Sequence, residues 1–68
     1  MKFTVTMEIT HRADGPDTVL SGRATVSGKT VTAGDRLTAA EKRGGVTLTD
    51  AEEALAGRLG ILACRAVR

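Results

Sequence analysis

The sequence has no tryptophan and no tyrosine, and Phe3 is its single aromatic residue. That removes the stacking platform on which single-stranded nucleic acids are held. It also means that any core must be built from Leu, Val, Ile, Met and Ala. Cys64 is the only cysteine, so an intramolecular disulfide and a thiolate metal cluster are both excluded. Cys64 falls at an apolar position of an expected strand and reads as a buried, inert thiol. His11 is the only histidine. With Asp14 and Asp17 it would make a poor zinc set, and it reads as an exposed residue at a strand end. No dense run of oxygen ligands suits calcium. No stretch approaches the ~20 apolar residues of a membrane span. The first residues, Met1-Lys2-Phe3-Thr4-Val5-Thr6, hold no apolar run of signal-peptide length. A soluble protein of a reducing interior, the cytoplasm of a host cell, is expected, with a virion particle as the other setting and no secretion by signal peptide.

What remains is a chain of 68 residues with eight glycines, read as one domain spanning residues 1–68. A chain of this size buries only about 60% of the surface that its unfolded form exposes. With a thin aliphatic core, self-association or docking on a protein partner would add the missing burial. Ten Lys and Arg against eight Asp and Glu give a net charge of +2. The acids interleave with the bases, so the basic balance lacks the clustering that nucleic acid binding wants.

Residues 3–12 alternate with a period of two. Phe3, Val5, Met7 and Ile9 share one face, and Thr4, Thr6, Glu8 and Thr10 the other, which predicts a strand with one wet face. Asp14-Gly15-Pro16-Asp17 is a turn signal inside a loop from about Ala13 to Asp17. Val19 to Val26 is a second strand with Leu20, Gly22, Ala24 and Val26 inward. Gly22 leaves a gap in that row, fitting a bulge, a bend or the close approach of another element. Ser27-Gly28 has the length of a two-residue hairpin loop and returns Val31 and Ala33 to the face of Ala24 and Val26. Ala33-Gly34-Asp35 reads as a turn. Thr38-Ala39-Ala40-Glu41 has the spacing of a capping box, which fits one helical turn; a mobile loop carrying Lys42 and Arg43 is the alternative.

Val46-Thr47-Leu48 reads as a very short strand or an extended segment. A helix is expected from about Asp50 to Leu59, capped by Thr49 with Glu52 and stopped by Gly60 in the left-handed position. Ala51, Leu55 and Leu59 form its apolar stripe. Ile61 to Arg68 reads as a last strand. The expected fold is therefore α+β: a small antiparallel sheet or partly open barrel of four to five strands, with one helix in the C-terminal half.

No constellation of residues suggests a catalytic, cofactor or metal site, and no small-molecule substrate is implied. Ser27-Gly28-Lys29-Thr30 has the end of a phosphate-binding loop but neither its other glycines nor a following helix. Arg36, Lys42, Arg43, Arg58, Arg65 and Arg68 are candidate contacts for phosphates or an acidic partner, if residues 36–45 fold beside the C-terminal strand. The outward threonines Thr4, Thr6, Thr10 and Thr25 are candidates for a flat interaction face, or simply solvent-facing strand residues.

Gly28-Lys29-Thr30-Val31-Thr32-Ala33-Gly34-Asp35-Arg36-Leu37, followed by Leu48-Thr49-Asp50-Ala51-Glu52-Glu53-Ala54 and Leu59-Gly60-Ile61-Leu62, resembles small phage and prophage proteins of the head and tail gene region. The resemblance covers residues 28–67. It departs from the pattern where Thr38 to Val46 separates the Gly-Asp turn from the Leu-Thr-Asp segment, and where Val31 replaces an aromatic. It implies an accessory or adaptor role with no catalytic residues. The expected function is a non-enzymatic protein–protein interaction module of phage or prophage origin. A small inhibitor of a host or defence enzyme is the first alternative. A binder of nucleic-acid backbone through the arginine patch is the second and less favoured one.

Overall fold

Alternating β-branched residues carry the first strand, β1, from Val5 to Asp14. The computed structural model describes residues 4–68, so the expected start of this strand at Phe3 lies outside the described residues. β2 runs from Asp17 to Val26 and β3 from Lys29 to Leu37. The three form an antiparallel meander in the order β1-β2-β3. The first loop is shorter than expected: Asp14 pairs with Asp17, so only Gly15 and Pro16 turn the chain. Pro16 is tolerated because a two-residue turn asks no ladder hydrogen bond of its second residue. The second hairpin is as expected. Val26 pairs with Lys29 across Ser27-Gly28, and Ala24 and Gly22 pair with Val31 and Ala33. Ser27 and Gly28 have φ of 51° and 76°, the positive pair that a turn matched to strand twist requires.

The turn expected at Ala33-Gly34-Asp35 is absent. These residues continue β3, pairing with Gly22, Ser21 and Leu20. The strand must go on because Leu37, opposite Thr18, is the apolar residue that closes this end of the core, at 3% exposure. Thr38 then caps a short helix, α1 (Ala39–Arg43), with the expected reciprocal bonds to Glu41.

The second helix, α2, spans Leu48–Ala66, and this corrects three expectations at once. It starts two residues early. Thr47-Leu48-Thr49-Asp50 and Thr49-Asp50-Ala51-Glu52 both have capping-box spacing, and the structure uses the first: the Asp50 amide donates to Thr47 Oγ1 at 3.1 Å and the Thr47 amide to Asp50 at 3.0 Å. That choice brings Leu48 into the helix, where it packs against the core. Of the two forms expected for residues 46–48 the strand is not formed; Thr47 is extended as the cap and Leu48 is already helical. Gly60 does not stop the helix, and residues 61–66 are helical rather than a last strand. The run Ile61 to Ala66 fits both periods, and the helical one wins because Ala63 extends the series Ala51, Leu55, Leu59 at a spacing of four. All four are buried, while Cys64, Arg65 and Ile61 are exposed. The thiol read as buried is thus on the surface. Among the described residues the sheet has three strands, not four to five, and it stays open rather than forming a partly open barrel.

The core lies between α2 and one sheet face. Leu20, Ala24, Val26 and Leu37 meet Ala51, Leu55, Leu59 and Ala63. Fully burying Leu55 or Leu59 contributes about 1.5–3 kcal/mol each. The helix seats at Gly22: a Cβ there would lie 2.6 Å from Leu59 Cδ1 and 3.3 Å from Leu55 Cδ2. Of the alternatives for the gap at Gly22, close approach is the one realised. Lys29 Nζ bonds the carbonyl of Ala66 at 2.7 Å, which ties a cation to the negative end of the helix.

A Cβ at Gly60 would meet nothing within 4 Å. Gly60→Ala should therefore raise stability by about 0.5–1 kcal/mol, the helix-interior preference of Ala over Gly, as read by urea unfolding. Loss of stability would return Gly60 to a left-handed stop.

Candidate interaction surface

One helix cannot cover three strands. With side chains it is about 10 Å across, and strands lie about 4.8 Å apart, so it shields two of them. Here α2 lies on β2 and β3. Arg58 fixes this placement by donating from Nη1 to the carbonyl of Gly34 on β3 at 3.1 Å, with Asp35 at 4.0 Å. The inner row of β1 therefore stays open. Val5 and Met7, opposite Val26 and Ala24 of the core, are 36% and 38% exposed, and Ile9 is partly buried against the core. β1 is also an edge strand, with one side of its backbone unpaired and ready to accept another strand. Here exposed apolar side chains lie beside unpaired backbone, which isolated exposed residues such as Val46 and Ile61 on the helical side do not combine. The alternation identifies Val5 and Met7 as inward residues but carries no signal that the helix stops short of them.

The opposite sheet face is polar and close to neutral. Arg23 bonds Glu8 directly across β1 and β2 at 2.9 Å, and the hydroxyls of Thr25 and Thr30 meet at 3.2 Å. The small residues Ser21 and Gly34 leave a shallow depression between Thr10 and Thr32. The expected threonine face is present and solvent-exposed.

The six basic candidates are spread along the molecule. Arg36 bonds Asp14 at 2.9 Å and Asp17 at 3.0 Å beside the first turn. Lys42 donates to the carbonyl of Pro16 at the same end, and Arg43 closes α1. Arg58 is on the β3 side. Arg65 and Arg68 lie at the far end of α2 beside Gly57, Gly60, Ile61 and Cys64. Since α2 spans about 28 Å at 1.5 Å per residue, the two ends do not form one patch, and three of the six already have intramolecular partners. His11 is exposed on β1. Among the described residues no group of three His, Cys, Asp or Glu could hold a metal ion, and no helix is long and apolar enough to cross a membrane.

Asp17 is the charged hub of the fold. Its carboxylate accepts from the Ala39 amide at 3.0 Å, holding the start of α1 to β2. That bond, followed by the Arg36 bond, keeps its pKa below the ordinary carboxylate value. Asp14 and Asp17 in turn raise Arg36. The Thr47 amide and hydroxyl likewise lower Asp50 at the start of α2. In the sequence Asp17 was legible only as a turn acid and Asp50 only as the start of the helix. Comparison with protein-family models, curated proteins and solved structures gives no match.

A carboxylate with a lowered folded pKa stabilises the fold fully above its unfolded value and loses that contribution as pH falls through the folded one. Stability should thus decline below about pH 4. Asp17→Asn should make this decline shallower while lowering stability at pH 7. Equal acid slopes in urea titrations of the two proteins would contradict the assignment.

Proposed function

We propose that the chain is a non-enzymatic protein-interaction module that docks through the β1 side of its sheet. The observation that carries this reading is the coincidence of an unpaired strand edge with exposed Val5 and Met7. Strand addition supplies main-chain hydrogen bonds, and the adjacent apolar row supplies burial and specificity. The accessory or adaptor role in a phage or prophage setting is the form of this reading that the resemblance of residues 28–67 implies. An inhibitor of a host or defence enzyme would use the same surface and differ only in partner. Backbone binding to nucleic acid draws less support, because Arg36, Lys42 and Arg58 are spent on Asp14, Asp17, Asp35 and backbone carbonyls.

The test compares the protein with a Val5→Lys/Met7→Lys variant. Both positions are more than one-third exposed, so a lysine can keep its ammonium in water, and lysine on an edge opposes strand addition. Binding partners of the unmodified protein, including a second copy, should be lost by the variant at unchanged helix content. Equal binding by both would overturn the reading.

A further inference from the structure

We propose that the partner for which β1 is built is a second copy of this chain, joined antiparallel by β1 with the two-fold axis at Thr10. The inference rests on the reading of the β1 side as the docking surface and adds its occupant and register. The backbone phase comes first. Asp14 and Asp17 flank a two-residue turn, so they form a hydrogen-bonded pair. Counting back along β1, the even-numbered residues bond to β2. Val5, Met7, Ile9, His11 and Ala13 direct their amides and carbonyls to the free edge. A symmetric antiparallel pairing must match these odd residues to each other, which permits axes only at whole residues.

Side chains then choose among those axes. An axis at Glu8 sets Glu8 against Glu8, and one at Arg12 sets Arg12 against Arg12. An axis at His11 sets Glu8 against Asp14. Like charges directly opposite destabilise a strand pair. An axis at Met7 or Ile9 opposes no unlike charges, and one at Ala13 sets Arg12 against Asp14 but overlaps only the last few residues of β1, with Asp14 already paired to Arg36. The axis at Thr10 alone sets Glu8 opposite Arg12 of the second copy, and does so twice by symmetry. Arg12 has no ion-pair partner among the described residues, whereas Glu8 has Arg23 on its β2 side. The pairing would complete an outer-face row of Arg23, Glu8 and the second copy's Arg12. On the inner face it places Met7 beside Ala13 and Ile9 beside His11, adding lateral cover to the row that α2 leaves open. The two sheets become one six-stranded antiparallel sheet with both helices on the same face.

The axis makes Thr10 its own neighbour in a non-hydrogen-bonded pair, with Cα atoms about 4.5 Å apart, within disulfide reach. In a Cys64→Ser background, Thr10→Cys should cross-link into a dimer under mild oxidation. Glu8→Cys and Arg12→Cys should not. Sedimentation of the unmodified protein should give a dimer. Arg12→Glu should weaken it at least about tenfold by turning both attractive pairs repulsive, and adding Glu8→Lys should recover most of the loss. A protein that stays monomeric up to millimolar concentration would overturn the proposal. So would cross-linking at Glu8 or Arg12 in place of Thr10, or a dimer indifferent to Arg12→Glu. A monomer that nonetheless binds another protein through Val5 and Met7 would leave the docking reading standing while removing this occupant.

Discussion

Helix α2 can lie against this sheet because β2 carries no side chain at position 22. A Cβ there would come within 2.6 Å of Leu59 Cδ1, with Leu55 Cδ2 and Ile9 Cγ1 at 3.3 and 3.4 Å. The notch lets two fully buried leucines reach the backbone of the central strand. Leu20, Ala24 and Val26 then pack around them without larger side chains. In a chain with one aromatic residue, close approach replaces bulk. Burial that would come elsewhere from a tryptophan or phenylalanine comes here from shortening the distance between helix and sheet, which raises the dispersion contacts each leucine makes.

The same constraint sets what is left exposed. A helix centred over β2 and β3 and held there by Arg58 and Lys29 cannot also cover β1. The open edge and the exposed Val5 and Met7 are thus a consequence of the packing and not an accident of surface composition. The hub at Asp17 works at the other end of the sheet, holding the start of α1 to β2 through the Ala39 amide and gathering Arg36 to the first turn. The fold therefore has a cross-tied side, on β3, where helix and sheet are bonded to each other, and an unpartnered side, on β1, where chemistry is available to another chain.

How much of this was legible depended on whether a signal was local. The Ser27-Gly28 hairpin, its register and the Thr38–Glu41 capping box were all readable, because each is fixed by residues within a few positions of one another. Gly22 was readable as a gap that fits a bulge, a bend or a close approach, but not as the seat of a particular helix, since Leu55 and Leu59 are distant in sequence. The segment Ile61 to Ala66 is not decided by its own residues, because short apolar runs fit both periods. What decides in favour of helix is a spacing of four that begins at Ala51, outside the segment. Gly60 looked like a stop by residue type, yet nothing crowds it and the helix runs through. Thr47–Asp50 has the same capping spacing two residues before Thr49–Glu52, and what selects it is Leu48, which packs against the core. Of the candidate site, the strand and its alternation were visible. The exposure of Val5 and Met7 was not, because it follows from helix width and placement.

The Gly22 seat is tested most directly by a double-mutant cycle between Gly22→Ala and Leu59→Val, with stability read by urea unfolding. Leu59→Val removes the Cδ1 atom that the new Cβ would strike. Gly22→Ala should cost about 1 kcal/mol or more in the unmodified protein, as overpacking does, and much less beside Leu59→Val, giving a coupling of about 1 kcal/mol. An equal effect of Gly22→Ala in both backgrounds, or a stabilising one in the unmodified protein, would contradict the account.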